Sequence, residues 1–195
     1  MFSKKIKILQ IIILIFVLNN GAWANQQTIK KSVEYFNNLK FFSASFVQND
    51  NNSLSEGKIY IESQRIRVEY TSPSKILIIL AEDKAMYYNY DLDEDEFFDP
   101  KKTSAWFFYD IFNDSSFFLE SKIVTNDDYI ILEKNGYNQK IQYEIKIYFE
   151  NKPFILRKID LVTENTNLVI SFYDHKYNET FDEKFFKLIN PSLIN

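Results

Sequence analysis

The spacing of apolar residues changes once along the chain, from a helical period to a strand period. Ile29, Val33 and Phe36 follow one another at steps of three and four. This spacing predicts an amphipathic helix over residues 26–40. From residue 42 onward apolar and polar residues alternate, which is the pattern of strands with one covered face.

The alternating segments predict a mainly β protein, an antiparallel sheet of about ten strands curled around the helix. The strand segments are residues 42–47, 58–62, 65–70, 76–81, 85–90, 96–98, 117–124, 129–133, 141–150, 154–163 and 168–174. A slip of one residue would send a whole apolar set to solvent, so the register is well determined. The residues predicted to share the concave side are Phe46, Ile59, Ile61, Ile66, Val68 and Tyr70.

Two segments depart from simple alternation. Residues 76–81 are apolar throughout, which predicts a strand covered on both faces. Residues 104–112, SAWFFYDIF, interrupt the meander without a turn residue and predict a short helix or plug. The predicted turns lie at Ser72-Pro73, Asn135-Gly136, Asn151-Lys152-Pro153 and Glu164-Asn165.

The first 24 residues have the pattern of a cleavable signal peptide. Three early lysines precede the apolar run Ile8–Leu18, and Ala22 and Ala24 are the small residues that a signal peptidase reads. The run is shorter than the roughly 20 residues of a membrane-spanning helix. We therefore expect export and a mature chain from Asn25, forming one domain over residues 25–195; an uncleaved anchor is the alternative.

Composition narrows the function classes. Without the lysines of the leader, 20 basic and 27 acidic side chains remain, so a nucleic-acid partner is not expected. The chain has no cysteine, which excludes thiolate chemistry, zinc–thiolate sites and a lipid-modified amino-terminal cysteine. These features indicate a protein of a bacterial periplasm, and we expect a monomer.

The chain offers little to catalysis. His175 is the single histidine, and beside Asp174 it is interpreted as a surface residue. Asp91, Asp93 and Asp95 resemble the start of a calcium loop, but the positions that need glycine and glutamate carry other residues. We predict no catalytic residue, metal or cofactor. By pattern alone, the apolar side chains fit either a closed core or a ligand cavity.

Seven segments, in order, resemble the LolA family of periplasmic lipoprotein carriers. Two departures stand out: Lys84 replaces a usual glycine, and one residue is missing after the second strand. The matching segments are Leu39–Gln48 ("sF.AsF.Q"), Gly57–Ile61 ("G.L.I"), Ile66–Pro73 ("fRWeY..P"), Ile78–Lys84, Met86–Asp91, Ile159–Leu161 and Phe185–Pro191, the last two resembling closing strands.

The resemblance implies a half-open antiparallel barrel whose apolar concave face is covered by a helical lid. Such a carrier takes acylated lipoproteins from an inner-membrane ABC transporter and passes them to an outer-membrane receptor. One 16-carbon acyl chain costs roughly 12 kcal/mol to expose to water, so a shielded cavity is required. The concave-side residues would then line an acyl-chain cavity. The predicted lid consists of Ile29, Val33, Phe36, Trp106, Phe107 and Ile111.

In the family, an arginine after the glycine strand hydrogen-bonds the lid and holds the empty cavity shut. Counting by two from Ile61 puts Ser63 at the lid-facing position here. Arg65, at the hairpin tip, is predicted to be the substitute latch, with Ser63 as a weaker donor. Arg67 is predicted to be solvated. Ile66 occupies the position at which family members have the apolar residue that contacts the transporter.

Two other functions stay open. Related half-barrels sense envelope stress or carry other lipids, and a fold pattern does not determine the cargo. A secreted hydrolase would need His175 in its catalytic set, and the sequence supplies no nucleophile arranged around it.

Overall fold

The computed structural model describes residues 25–50, 53–138 and 140–193; the predicted signal peptide lies outside them. The described residues form one eleven-stranded antiparallel sheet with the order β6-β5-β4-β3-β2-β1-β11-β10-β9-β8-β7. The sheet is not closed, since no pairing joins β6 to β7 within these ranges. The strands are β1 Phe42–Asn49, β2 Leu54–Glu62, β3 Arg65–Ser72, β4 Ile76–Leu80, β5 Ala85–Asn89, β6 Glu94–Phe98, β7 Lys122–Thr125, β8 Tyr129–Asn138, β9 Ile141–Glu150, β10 Ile155–Thr163 and β11 Asn167–Lys176.

Two α-helices pack on one face of the sheet, which we call the inner face. α1 covers residues 25–37 and α2 covers Ala105–Asn113. Short 3₁₀ turns occur at Pro100–Lys102, Ser115–Phe118 and Pro191–Leu193. The predicted fold class is thus confirmed: a mainly β, unclosed antiparallel sheet with an amino-terminal and a mid-chain helix.

The strand predicted over residues 117–124 is wrong at its start. Asp114 accepts hydrogen bonds from the backbone N–H and the hydroxyl of Ser116, which closes a 3₁₀ turn over Ser115–Phe118. Phe118 is fully buried and stacks on Phe36 of α1, with ring centroids 4.7 Å apart. The aromatic residues of this turn are buried under α1 and do not pair with a strand, so β7 begins only at Lys122.

The turn predicted at Asn135-Gly136 is also wrong. Both residues lie inside β8, where Gly136 pairs with Tyr143 of β9. A Cβ atom at Gly136 would lie 2.7 Å from Tyr143 Oη. Glycine is needed here because an aromatic side chain lies over it. The residue that suggested a turn in the sequence therefore serves this close approach inside a strand.

The register places the six predicted concave-side residues on the inner face. Ile59 pairs with Val68 and Ile61 with Ile66. Phe46 and Tyr70 meet edge to face across Gly57, with centroids 5.3 Å apart. The alternation read from the sequence therefore gives the pleat of β1 to β3.

The outer face of β2 to β5 is covered by the carboxyl-terminal segment, residues 177–193. Leu77 and Ile79 of β4 are 1% exposed there and pack with Leu188, so the two-sided burial predicted for this strand holds. The closing strand that the family resemblance implied at Phe185–Pro191 does not form, because this segment crosses the outer face without joining the sheet. Its apolar side chains pack on the outer face of the sheet, and its backbone does not pair with a strand.

Arg67 fastens this segment, so its predicted solvation is wrong. The side chain is 14% exposed and pairs with Glu69 at 2.5 Å. Arg67 Nη1 donates to Phe185 O at 2.6 Å, and the guanidinium lies 4.3 Å from the Phe185 ring centroid. Alternation correctly places Arg67 on the outer face, but that face is covered here.

Candidate functional site

An apolar cavity of about 190 Å³ lies between the inner face and the start of α2. Strands β1 to β4 and β11 form its walls, and none of the described side chains that line it is charged. The lining residues are Phe46, Gln48, Ile59, Ile66, Val68, Tyr70, Ile78, Leu80, Ser104, Ala105, Phe108, Leu168, Ile170 and Phe172.

Five of the six residues predicted for an acyl-chain cavity line this space. The sixth, Ile61, lies beyond them, in a separate open space shared with Ser63 and the carboxyl end of α1. Period two continues along β3 and β2 past the cavity, so the pattern alone could not tell where the cavity ends.

The sequence did not predict two parts of the cavity lining, the wall formed by β11 and the contribution of Phe108 from α2. Leu168, Ile170 and Phe172 alternate in β11 and could have been found by their period. Their place beside β1 depends on pairing of the first and last strands, which no local pattern reveals. Phe108 was missed because α2 is apolar on most sides, so its inward face cannot be read from its period.

The predicted lid residues lie on both helices, but none of the six lines the cavity. Phe107 is 4% exposed and meets Tyr143 of β9, with ring centroids 4.8 Å apart. Trp106 packs against Phe107, and Ile111 is 1% exposed in the core. Phe108, half-buried, is the aromatic side chain of α2 that lines the cavity.

On α1, Phe36 joins the aromatic core while Ile29 and Val33 are half-buried. Phe36 stacks on Phe118 and meets Phe149 edge to face at 5.8 Å between centroids. α1 thus contacts β9, the 3₁₀ turn and, through Phe112, α2. α2 itself begins at the cavity.

A tyrosine that sequence reasoning overlooked ties α1 to the sheet. The N–H of Leu156 donates to Tyr35 Oη at 3.2 Å, and His175 Nε2 donates to Leu156 O at 2.9 Å. Leu156 adjoins a β-bulge at Arg157, where ladder pairing to β9 is broken. Burial raises the pKa of Tyr35 and lowers that of His175, so both are neutral at pH 7. The lone histidine thus satisfies a backbone carbonyl.

We predict that Tyr35→Phe lowers the free energy of unfolding by about 1–3 kcal/mol, because a buried backbone N–H loses its acceptor. Urea denaturation measures the change, and faster amide exchange of Leu156 should accompany it. Tyr173→Phe, an exposed tyrosine of β11, is the control. Equal stability of Tyr35→Phe and wild type would show that water replaces the phenol oxygen.

α2 carries one carboxyl group in an unfavourable position. Burial, and to a lesser degree the charge of Asp114, raise the pKa of Asp110 to about 6. Because the pKa is higher in the folded state, protonation of Asp110 stabilises the fold, and this stabilisation is fully present below about pH 4. It is lost as the pH rises through about 6, where the buried carboxyl ionises.

We predict that Asp110→Asn is more stable than wild type at pH 7.5 by about 1 kcal/mol, a figure reduced for the partial exposure of the group. The gain should vanish near pH 4, as measured by urea denaturation at both pH values. Glu164→Gln, in an exposed turn, should show no such pH dependence. A loss of stability at pH 7.5 would mean that attraction to Lys134 outweighs the cost of burial.

The two latch candidates lie at the tip of the β2–β3 hairpin. Ser63 shares an open space with Asn37 and Asn38, at the carboxyl end of α1. The backbone of Arg65 pairs with Glu62 in the ladder, but its exposed side chain has no hydrogen bond or ion pair with the described residues. Ser63 therefore lies beside the helix ends, whereas the Arg65 side chain is not bonded to the lid in this conformation.

A family model for "Outer membrane lipoprotein carrier protein LolA" matches residues 37–189, most of the chain. The chain belongs to the LolA family. No protein with a curated description is significantly similar in sequence.

The chain is also similar to solved structures. An uncharacterized conserved protein from Thermus thermophilus has a TM-score of 0.52 at 11% identity, covering 80% of this chain and 89% of that one. Mycobacterium bovis LprF has a TM-score of 0.42 at 9% identity, covering 78% and 92%. The Pseudomonas aeruginosa MucA/MucB complex gives 0.45 at 12%, covering 80% and 60%.

None of the helices in the described ranges combines the length and the apolarity that crossing a membrane requires.

Proposed function

We propose that this protein is a periplasmic carrier that shields the acyl chains of lipoproteins between the inner and outer membranes. The observation that carries the proposal is the uncharged apolar cavity between the inner face and α2, in a chain of the LolA family. The signal peptide over residues 1–24 would export it. An inner-membrane ABC transporter and an outer-membrane receptor would be its partners.

The lining of the cavity supports this function. Each buried methylene of an acyl chain contributes about 0.8 kcal/mol, and a charged group in the wall would oppose that gain. Branched aliphatic and aromatic side chains such as Ile66, Val68 and Phe108 give a wall that accepts chains without close shape matching. A carrier must release its cargo, which favours such a wall.

The size of the cavity indicates that cargo binding requires opening. Ligand pockets commonly measure about 300–1,000 Å³, whereas this cavity measures about 190 Å³. Movement of α2 away from β3 and β4 would enlarge it at its apolar wall. Ile66, which is 0% exposed, could meet a transporter only in such an opened state.

The test is retention of acylated cargo. Delipidated mature protein is incubated with acylated and unacylated forms of one lipoprotein, and complexes are separated by size. We expect retention of the acylated form alone, unchanged by Leu119→Glu, which removes an exposed apolar side chain far from the cavity lining. Release of free fatty acid would instead indicate a hydrolase, and equal retention of both forms would contradict the carrier function.

We further propose that Arg65 acts as the latch, with Ser63 as a neutral donor. The carboxyl ends of α1 and α2 border the space beside this hairpin, and helix carboxyl ends attract cations. An arginine fork reaching these carbonyls would hold the lid shut after cargo release.

Arg65→Ala is expected to slow cargo release in a transfer assay without changing the stability of the protein. Arg67→Ala, the matched control, should instead lower the free energy of unfolding by about 2–4 kcal/mol, because Glu69 and Phe185 O lose a partly buried partner. Impaired transfer in Arg67→Ala alone, at a temperature where it stays folded, would exclude Arg65 as the latch.

A further inference from the structure

One hydrogen-bonded pair interrupts the apolar lining of the cavity. Tyr70 Oη donates to Gln48 Oε1 at 2.8 Å, and both side chains line the space. The third polar lining residue is Ser104, whose hydroxyl does not cap α2.

The polar lining residues lie at one end of the cavity. Gln48 is the penultimate residue of β1, and Tyr70 lies two residues before the end of β3. Ser104 immediately precedes α2 and shares a pocket with Thr166, just before β11. Because Ile170 of β11 pairs with Gln48, Ser104 lies at the same end. Ile66 and Leu80, which pair with each other, lie about 13 Å further along the strands, at about 3.3 Å per residue. The cavity thus has a polar mouth and an apolar floor.

The pair leaves hydrogen-bonding capacity at this mouth. A glutamine side chain has two N–H donors and a carbonyl oxygen with two lone pairs. Tyr70 occupies one lone pair and so orients the amide. Within the described residues, Gln48 Nε2 makes no hydrogen bond to protein. Its donors are available to a ligand whose tail fills the floor.

The charge of the mouth restricts the ligand further. Among the described residues no cation lines the cavity, so a carboxylate head would be desolvated without a partner. Burial raises the pKa of Tyr70 to about 12, which keeps the phenol neutral. A neutral carbonyl beside a long alkyl chain matches both ends of the cavity.

We propose that Gln48, oriented by Tyr70, donates a hydrogen bond to the carbonyl of an acyl ester or amide, so that the cavity prefers neutral acylated ligands to hydrocarbons and to free fatty acids. This inference rests on the proposed carrier function, and it names the part of the cargo that the cavity recognises. Gln48 is a positioning contact at the head of the chain, and the apolar floor supplies the affinity.

The test measures displacement of a cavity-bound naphthylamine fluorophore by methyl decanoate, decanoate and n-undecane. In wild type the ester should bind about 5–10-fold more tightly than undecane, the ratio expected for one hydrogen bond. Gln48→Leu should abolish this preference while keeping undecane affinity. Tyr70→Phe should reduce the preference, because the amide is no longer oriented. Gln142→Leu, on the exposed part of β9, should retain it.

The outcomes separate this inference from the proposed function. Equal binding of ester and undecane to wild type, or decanoate binding most tightly, overturns the role of Gln48 and leaves an acyl-chain cavity. Equal loss of both probes in Gln48→Leu also overturns it, because the pair would then only support the cavity wall. Failure of all three probes to displace the fluorophore from wild type overturns the carrier proposal itself.

Discussion

Phe108→Glu is expected to abolish acyl-chain binding while the protein keeps most of its stability. Phe108 lines the cavity and is half-buried, near the mouth formed by Ser104. A carboxylate at this position would be covered by a bound acyl chain, and its desolvation should weaken binding at least about 100-fold. In the empty protein the glutamate can turn to solvent at the mouth, so the free energy of unfolding should fall by only about 1–2 kcal/mol.

Phe107→Glu is the matched control on the same helix. Phe107 is 4% exposed and packs against Tyr143, so a charge there should cost about 3–5 kcal/mol of stability. The measurements are urea denaturation and retention of acylated lipoprotein. The sequence predicted that Phe107 belongs to the lid, where a charge would weaken binding more than folding. The structure transfers that expectation to Phe108, and a selective binding loss in Phe107→Glu would contradict it.

Gly57→Ala is expected to be the most destabilising single methyl addition in the sheet. A Cβ atom at Gly57 would overlap the backbone oxygen of Glu69 and lie 2.7 Å from Phe46 Cζ. The backbone oxygen cannot move without breaking the β2–β3 ladder, so the loss should be about 3 kcal/mol or more.

Gly136→Ala gives the comparison for this second prediction. Its Cβ would meet only the distal atoms of the Tyr143 side chain, which can shift, so we expect a loss of about 1 kcal/mol. Urea denaturation of both variants measures the difference. If Gly136→Ala were the more destabilising, Tyr143 would be held more rigidly than the β2–β3 ladder.

Features determined by neighbouring residues were predicted correctly from the sequence, whereas those determined by contacts between distant segments were not. Alternation along β2 and β3 determines which face Ile59 and Val68 occupy, because the pleat is a local property. The pairing of β1 with β11 joins distant segments, so the wall formed by Ile170 could not be predicted. The wrong turn at Gly136 has a similar cause, since a ring from the next strand requires the glycine.

Arg67 shows the same limit for charged residues. Its alternation correctly indicates the outer face, but the covering by residues 177–193 depends on tertiary packing. The helical wall gives a third case, because the apolar sequence of α2 fits several rotations about its axis. Sheet contacts such as that of Phe107 with Tyr143 select the rotation that turns Phe108 to the cavity.

The central claim is that acyl chains enter the space between the inner face and α2, and photo-cross-linking tests it most directly. p-Benzoylphenylalanine is placed at position 108 or, as the control, at position 97, an exposed site on edge strand β6. The account predicts that position 108 cross-links to acylated lipoprotein and not to the unacylated form, with no cross-link from position 97. Equal cross-linking of both forms at position 108, or capture of acylated cargo from position 97 alone, would contradict it.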